Sequence, residues 1–268
     1  MQRLIFTLIM DAVAITLLIV AILILLFLFV LKSSKKEITI TPLPADYKQI
    51  LSEKVLFYQS LDDENKRNFE NRVQHFLSSI TITGAGAIVE DIDRVLIGAS
   101  AIIPIYAFPE WEYSNLSEII LYPETFNEQF EIQGDNRSVL GMVGDGPLQR
   151  TMILSQFALR EGFSNKTDKN NTAIHEFVHL LDKTDGSTDG IPEVLLQHQY
   201  VLPWVEMIRK NIDSILKNKS DINPYGATNQ AEFFAVVSEY FFERPDLLES
   251  KHPDLYDMLS KIFAKKNV

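Results

Sequence analysis

The 268-residue sequence contains no cysteine. That absence excludes a disulfide framework and a thiolate metal site. Positive charge is also scarce, with 25 Lys and Arg against 36 Asp and Glu and a formal net charge of −11. The deficit deepens once the N-terminal end is set aside. Without Arg3, Asp11, Lys32, Lys35 and Lys36 there remain 21 basic and 35 acidic residues, a net of −14 over 37–268. An acidic body of this kind is repelled by phosphate backbones, which argues against nucleic acid as a direct partner. The sequence shows no internal repeat and no low-complexity tract.

One long hydrophobic run is present. Ala12 to Leu31 is apolar except for Thr16, and Lys32-Ser33-Ser34-Lys35-Lys36 follows it. Twenty helical residues rise by roughly 30 Å, the thickness of a bilayer's hydrocarbon core. A cleaved signal peptide has a shorter apolar region and a small-residue cleavage site. The run therefore predicts a single N-terminal transmembrane helix, with 1–36 as membrane anchor. The lysines on its C-terminal flank outweigh Arg3, which predicts a single-pass membrane protein with its main domain in the cytoplasm. Pro42 and Pro44 mark 37–46 as an extended linker. The remainder, 47–268, is long enough for one domain with its own core.

Within that domain, apolar periodicity predicts helices over 46–60, 62–78 and 90–103, and strands over 79–83, 118–122 and 151–154. Gly141 to Pro147 reads as a glycine-rich turn, and Thr151 to Leu154 as a strand that could present an edge to an extended peptide. From residue 168 onward the pattern is helical, over 169–183, 192–216 with a bend or break at Pro203, 228–243 and 253–264. The expectation is an α+β domain with a small sheet and a mostly helical C-terminal half.

The segment Thr172-Ala173-Ile174-His175-Glu176-Phe177-Val178-His179 contains HExxH. Residues four apart on a helix share a face, so His175 and His179 can bind one metal ion. Glu176 lies on the adjoining edge, where a carboxylate can take a proton from water and later pass it to a leaving amine. The flanking residues are uncharged, which suits a buried helix and a dry site. A metal held for catalysis takes a third protein ligand and keeps an open position. His198 and His252 lack supporting context. The segment Asn229 to Glu239 is apolar nearly all round, so a glutamate inside it needs a cation or a hydrogen-bonding partner. Glu232 and Glu239 lie seven apart and point roughly the same way; on the residues alone either could be the ligand and the other could orient an imidazole. Asn229 and Glu232 also have the spacing of a capping box.

Several blocks resemble the zinc-dependent peptidases typified by Mlc titration factor A. His175-Glu176-Phe177-Val178-His179-Leu180-Leu181-Asp182 is similar to the family's HExxHxLD. Gly186 and Gly190-Ile191-Pro192 resemble the glycine and G-[IV]-P that follow. The segment from Tyr225 through Asn229, Glu232 and Glu239 to Phe242 resembles its C-terminal block. Pro245 and His252-Pro253-Asp254-Leu255-Tyr256 resemble its ending, and Gly146-Pro147 with Ile153-Leu154-Ser155 resembles its upstream turn and strand. The similarity runs from about residue 45 to the C-terminus. This chain has Leu180 and Gln156 where members often carry Lys and Trp, and a membrane anchor is not general in the family.

The resemblance implies a zincin-like, gluzincin-type fold and one zinc per chain held by His175, His179 and Glu232. It implies Glu176 as general base, Tyr225 as a stabiliser of the developing oxyanion, and Asp182 and Glu239 as residues that support the ligands. It implies hydrolysis of peptide bonds by zinc-activated water, aminopeptidase-like on short peptides. The other reading is a binding or titration module on a peptidase fold, sequestering a protein partner such as a transcriptional regulator.

Overall fold

The computed structural model describes residues 15–24, 39–127, 131, 137–144, 146–165 and 167–263. The chain divides into two compact units, 1–39 and 40–268.

In the first unit a helix, α1, covers 15–24, with Ile15, Leu17, Leu18, Ile19 and Leu23 exposed. Ten residues rise by roughly 15 Å, half of what a span requires. Among the described residues no helix is long and apolar enough to cross a membrane. The transmembrane helix expected over 12–31 is thus not supported, and with it fall the membrane partner, the single-pass placement and the cytoplasmic side. The rest of that run, 12–14 and 25–31, lies outside the described residues, as do Lys32, Lys35 and Lys36.

The second unit is α+β with a helical majority. It opens with α2 (Tyr47–Lys54), α3 (Leu56–Gln59) and α4 (Asp63–Ser79). Asp62 caps α4 by accepting from the Asn65 N–H at 2.8 Å, and Asp63 and Glu64 complement the helix dipole in its first turn. Strand β1 (Thr81–Gly84) leads to α5 (Asp91–Ile102), which starts with a reciprocal capping box between Glu90 and Asp93. Three further strands follow: β2 (Glu118–Tyr122), β3 (Gly141–Val143) and β4 (Thr151–Ser155). The sheet order is β1-β2-β4-β3, parallel except for β3, which runs antiparallel to β4. Every residue of β4 is buried, as expected of an inner strand covered on both faces.

The C-terminal half is α6 (Gln156–Gly162), α7 (Thr172–Asp182), α8 (His198–Leu216), α9 (Gln230–Glu243), α10 (Pro245–Lys251) and α11 (Pro253–Ile262). Pro203 lies in the second turn of α8, and the helix runs through it. Residues 192–197 are not helical; Leu195 and Leu196 N–H groups turn back onto the Pro192 carbonyl at 2.9 and 2.8 Å. Thr151–Leu154 is not an edge, because β4 has β2 on one side and β3 on the other. The edge beside β4 is β3, in the segment expected to be only a turn.

The core joins sheet and helices through Leu96, Ile119, Leu154, Phe177, Phe233 and Phe234. Trp204 is fully buried between Phe233 and Phe234, with ring centroids 6.1 and 5.8 Å away. Its indole N–H donates to the Gly190 carbonyl at 2.7 Å. Asp221 gathers Lys169, Lys251, His252 and Tyr240 on one carboxylate, tying the approach to α7 to α9 and the last two helices.

Candidate metal centre

Helix α7 is buried along nearly its whole length. Asn171 caps it, with Oδ1 accepting from the Ile174 N–H at 3.2 Å. One helical turn separates His175 from His179, and their rings meet edge to face with centroids 4.7 Å apart. Helix α9 packs across α7 and is capped by Asn229, whose side chain accepts from the Glu232 N–H at 2.9 Å. That is half of a capping box. The Glu232 carboxylate turns instead to the two histidines, 2.9 Å from His175 Nε2 and 3.4 Å from His179 Nε2.

His175, His179 and Glu232 therefore converge: the two Nε2 atoms are 3.1 Å apart, and all three donor atoms lie within 4.8 Å of one another. Two imidazole lone pairs and a carboxylate pointed at one spot repel unless a proton or a cation sits among them. The separations of 2.9, 3.1 and 3.4 Å bracket the edge of a tetrahedron with zinc–nitrogen bonds of about 2.05 Å, roughly 3.3 Å. The donor set fits such an ion.

Glu239 stands on the far side of the first imidazole. Its Oε1 lies 2.7 Å from His175 Nδ1 and its Oε2 accepts from the Asn171 main-chain N–H at 2.6 Å. Glu232 thus faces the cluster, and Glu239 lies against the opposite ring nitrogen of His175. Asp182, at the end of α7, accepts from the Gly190 N–H at 2.8 Å through Oδ2. Among the described residues its buried Oδ1 has no hydrogen-bond partner, and neither has His179 Nδ1, three residues earlier on the same helix. Asp185 accepts from Ser187 as an ordinary turn residue, and His252 serves Asp221.

The cluster opens onto a cleft of about 650 Å³. Gly141, Met142 and Val143 form part of its wall, and Asn229 to Glu232, Lys183, Thr188 and Asp189 line it as well. Glu176 and Tyr225 both line it. Tyr225 sits on the 3-10 turn Pro224–Ala227, its ring centroid 6.0 Å from that of His175 and its side chain half exposed. Gly141 approaches Glu176 so closely that a Cβ there would lie 2.7 Å from Glu176 Cγ. Sequence reasoning missed this wall, since nothing within three residues of Gly141 marks a strand edge facing residue 176.

The charges in the cleft shape its titration. Burial would lower the His175 pKa, but Glu239 and Glu232 carry it well above the ordinary histidine value. Burial would raise Glu232, yet hydrogen bonds to His175 and His179 bring its carboxyl down to about 2. Glu176 is raised by burial against the opposing pull of both histidines. Asp182 is raised to about 6 by burial. The Tyr225 hydroxyl is raised by desolvation and by Glu232 and Glu176, which keeps it protonated.

A model of the family described as Glucose-regulated metallo-peptidase M90 matches residues 30–264. The chain is similar to an uncharacterized protein of Synechocystis sp., 28% identical over 243 residues that cover 86% of this chain and 87% of the other. It is 32% identical over 165 residues to Mlc titration factor A of Serratia proteamaculans, covering 56% of this chain and 60% of that protein. The protein of that name from Cronobacter sakazakii is 27% identical over 220 residues, 76% of this chain and 81% of its own length.

Proposed function

Because the chain belongs to the glucose-regulated metallo-peptidase M90 family, we propose that it is a zinc-dependent peptidase using this cleft. The convergence of His175, His179 and Glu232 beside a buried Glu176 carries the reading. His175, His179 and Glu232 would hold one zinc ion at the cleft. Bound zinc supplies Lewis acidity, which polarises a carbonyl and makes water acidic enough to lose a proton near neutral pH.

The remaining steps belong to the chain's own side chains. Glu176 takes the proton as water oxygen bonds to the peptide carbon. It returns that proton to the nitrogen as the C–N bond breaks. The Tyr225 hydroxyl donates a hydrogen bond to the oxygen that gains charge. Glu239 holds His175 by its Nδ1, keeping Nε2 turned to the cluster. Asp182 braces the end of α7 through Gly190.

The substrate that suits this cleft is an extended peptide. The Leu140 carbonyl and Gly144 N–H both point to β4, bonded to Ser155 and Thr151 at 2.8 Å. Strand alternation then turns the main-chain groups of Gly141 and Val143 outward, along the cleft wall. Main-chain pairing there would accept many sequences. Aminopeptidase-like action is the finer form of the reading.

A second reading rests on relatives named Mlc titration factor A: the chain would bind a protein regulator, alone or beside catalysis. One set of measurements separates the two. The full chain is purified with zinc, its metal content determined, and peptide hydrolysis followed in wild type, Glu176→Gln, Glu232→Ala and Glu239→Ala. One zinc per chain, lost in Glu232→Ala, weakened in Glu239→Ala and retained without turnover in Glu176→Gln, is the expected result. Wild-type turnover in Glu176→Gln would sink the assigned base, whereas no stoichiometric zinc or no turnover in the wild type would turn the case toward the binding module.

A further inference from the structure

Asn171 is fully buried and uses every polar atom it has. Its carbonyl accepts from the His175 N–H at 2.9 Å, inside the first turn of α7. Its Oδ1 caps the helix at Ile174. Its main-chain N–H donates to Glu239 Oε2 at 2.6 Å, and its Nδ2 donates to Glu243 Oε1 at 2.8 Å, with the Gly162 carbonyl more distant at 3.4 Å. Gly162 leaves just enough room: a Cβ there would stand 3.0 Å from the Asn171 amide carbon.

Glu239 and Glu243 are one turn apart on α9, so both carboxyls arrive at the positive end of α7. A chain of contacts results, from Glu243 through Asn171 to Glu239 and on to His175 Nδ1. We propose that Asn171 is a positioning residue for the metal centre, locked by Glu243 so that it aims the Glu239 carboxylate at His175. The inference rests on the metal-site reading above, but it concerns a residue two links behind the cluster.

The side-chain chemistry explains why an amide stands here. Helix capping needs an acceptor toward Ile174, and Glu243 needs a donor. A short amide presents both at once. Aspartate would cap α7 equally well, yet would set an acceptor against the Glu243 carboxylate. The prediction is therefore specific. Asn171→Asp keeps the cap and loses the lock. Adding Glu243→Gln reverses donor and acceptor, restores one hydrogen bond, and leaves the pair with its original total charge.

The experiment compares wild type, Asn171→Asp and Asn171→Asp/Glu243→Gln as full chains at pH 8, above the value of about 7 to which burial raises Glu243, with two readouts. The first is zinc affinity by competition with a chromophoric chelator. Loss of support behind a ligand histidine lowers affinity by about 10–100-fold. Asn171→Asp is expected to show that loss, and the double variant to recover to within about threefold of wild type. The second readout needs no metal: the slowly exchanging proton on His175 Nδ1, seen by NMR in metal-free protein. It is expected in the wild type, lost or fast-exchanging in Asn171→Asp, and regained in the double variant.

An Nδ1 proton unchanged in Asn171→Asp, or one not regained in the double variant, overturns the role of Asn171 whatever the metal does. An Nδ1 pattern as expected in a protein that takes up no zinc leaves the positioning role standing and removes the peptidase reading instead. Unchanged stability in both variants with an unmoved Nδ1 proton would mark Asn171 as a helix cap and nothing more.

Discussion

Replacing Gly141 by alanine tests the geometry of the cleft most directly. The new Cβ would lie 2.7 Å from Glu176 Cγ, 2.8 Å from Oε1 and 3.0 Å from Cδ. Carbon atoms rest at about 3.5–4.0 Å, so one partner gives way by roughly 1 Å. Strand β3 is held by its ladder to β4, whereas a side chain can rotate. Glu176 is therefore the group that moves. An off-rotamer side chain costs on the order of 0.5–1.5 kcal/mol, and in a chain of this size roughly 1 kcal/mol lowers the melting temperature by about 2–4 °C. The kinetic cost is larger, since misplacing a reacting group by about 1 Å slows turnover by about 10²-fold, or roughly 2.7 kcal/mol of barrier. Zinc affinity is expected to stay unchanged, because the three converging donors are not the atoms displaced. Peptide hydrolysis, chelator competition and thermal melting on one preparation check all three statements. In a Glu176→Gln background Gly141→Ala is expected to cost stability but no further rate, since the base is already gone. Wild-type turnover in the single variant would refute the placement of Glu176 against β3.

Two further outcomes follow from other parts of the fold. Gly190 has φ +78°, and a Cβ there would stand 2.2 Å from the Gln230 carbonyl oxygen, which is backbone and cannot rotate away. Gly190→Ala is expected to lower stability by about 2–3 kcal/mol and to loosen zinc, because Gln230 is two residues from Glu232; a melting curve superimposable on wild type would sink this. Glu243 is raised to about 7 by burial, with Asp168 and Glu239 adding to the rise and Asn171 opposing it. The folded state then holds a proton that the unfolded state releases near pH 4.5. Stability is complete below that value, falls as pH rises toward 7, and above 7 lacks roughly 3 kcal/mol. Glu243→Gln is expected to remove that slope, so its urea midpoint gains on wild type between pH 5 and 8; parallel pH profiles would contradict it.

How much of this was legible in the sequence depends on how local each signal is. His175 and His179 were readable because one helical turn brings them together. Glu232 and Glu239 were readable as a pair on one face of a buried helix, but their different faces toward His175 come from the packing of α9 on α7, contacts 57 and 64 residues long. The Asn171 cap on α7 spans only three residues. Its grip on Glu239 and Glu243 spans 68 and 72 and left no local trace. Strand β3 is three residues long and exists only because 152–154 lie beside it, so glycine content read as a turn. The hydrophobic run at 12–31 misled for the opposite reason: a strong local signal suggested a span, and among the described residues no helix is long and apolar enough to cross a membrane.

The spacing along α9 has a consequence for how such a chain can vary. Glu232, Glu239 and Glu243 occupy its first, third and last turns, roughly 10 and 16 Å apart along the axis at 1.5 Å per residue. Inserting or deleting one residue would turn everything beyond it by about 100°, carrying Glu239 and Glu243 away from the start of α7 while Glu232 stayed. The turn over 183–189, with exposed Asp185 and Ser187, can change length without that penalty. For this centre the count of residues from Glu232 to Glu243 is as much a requirement as their identities.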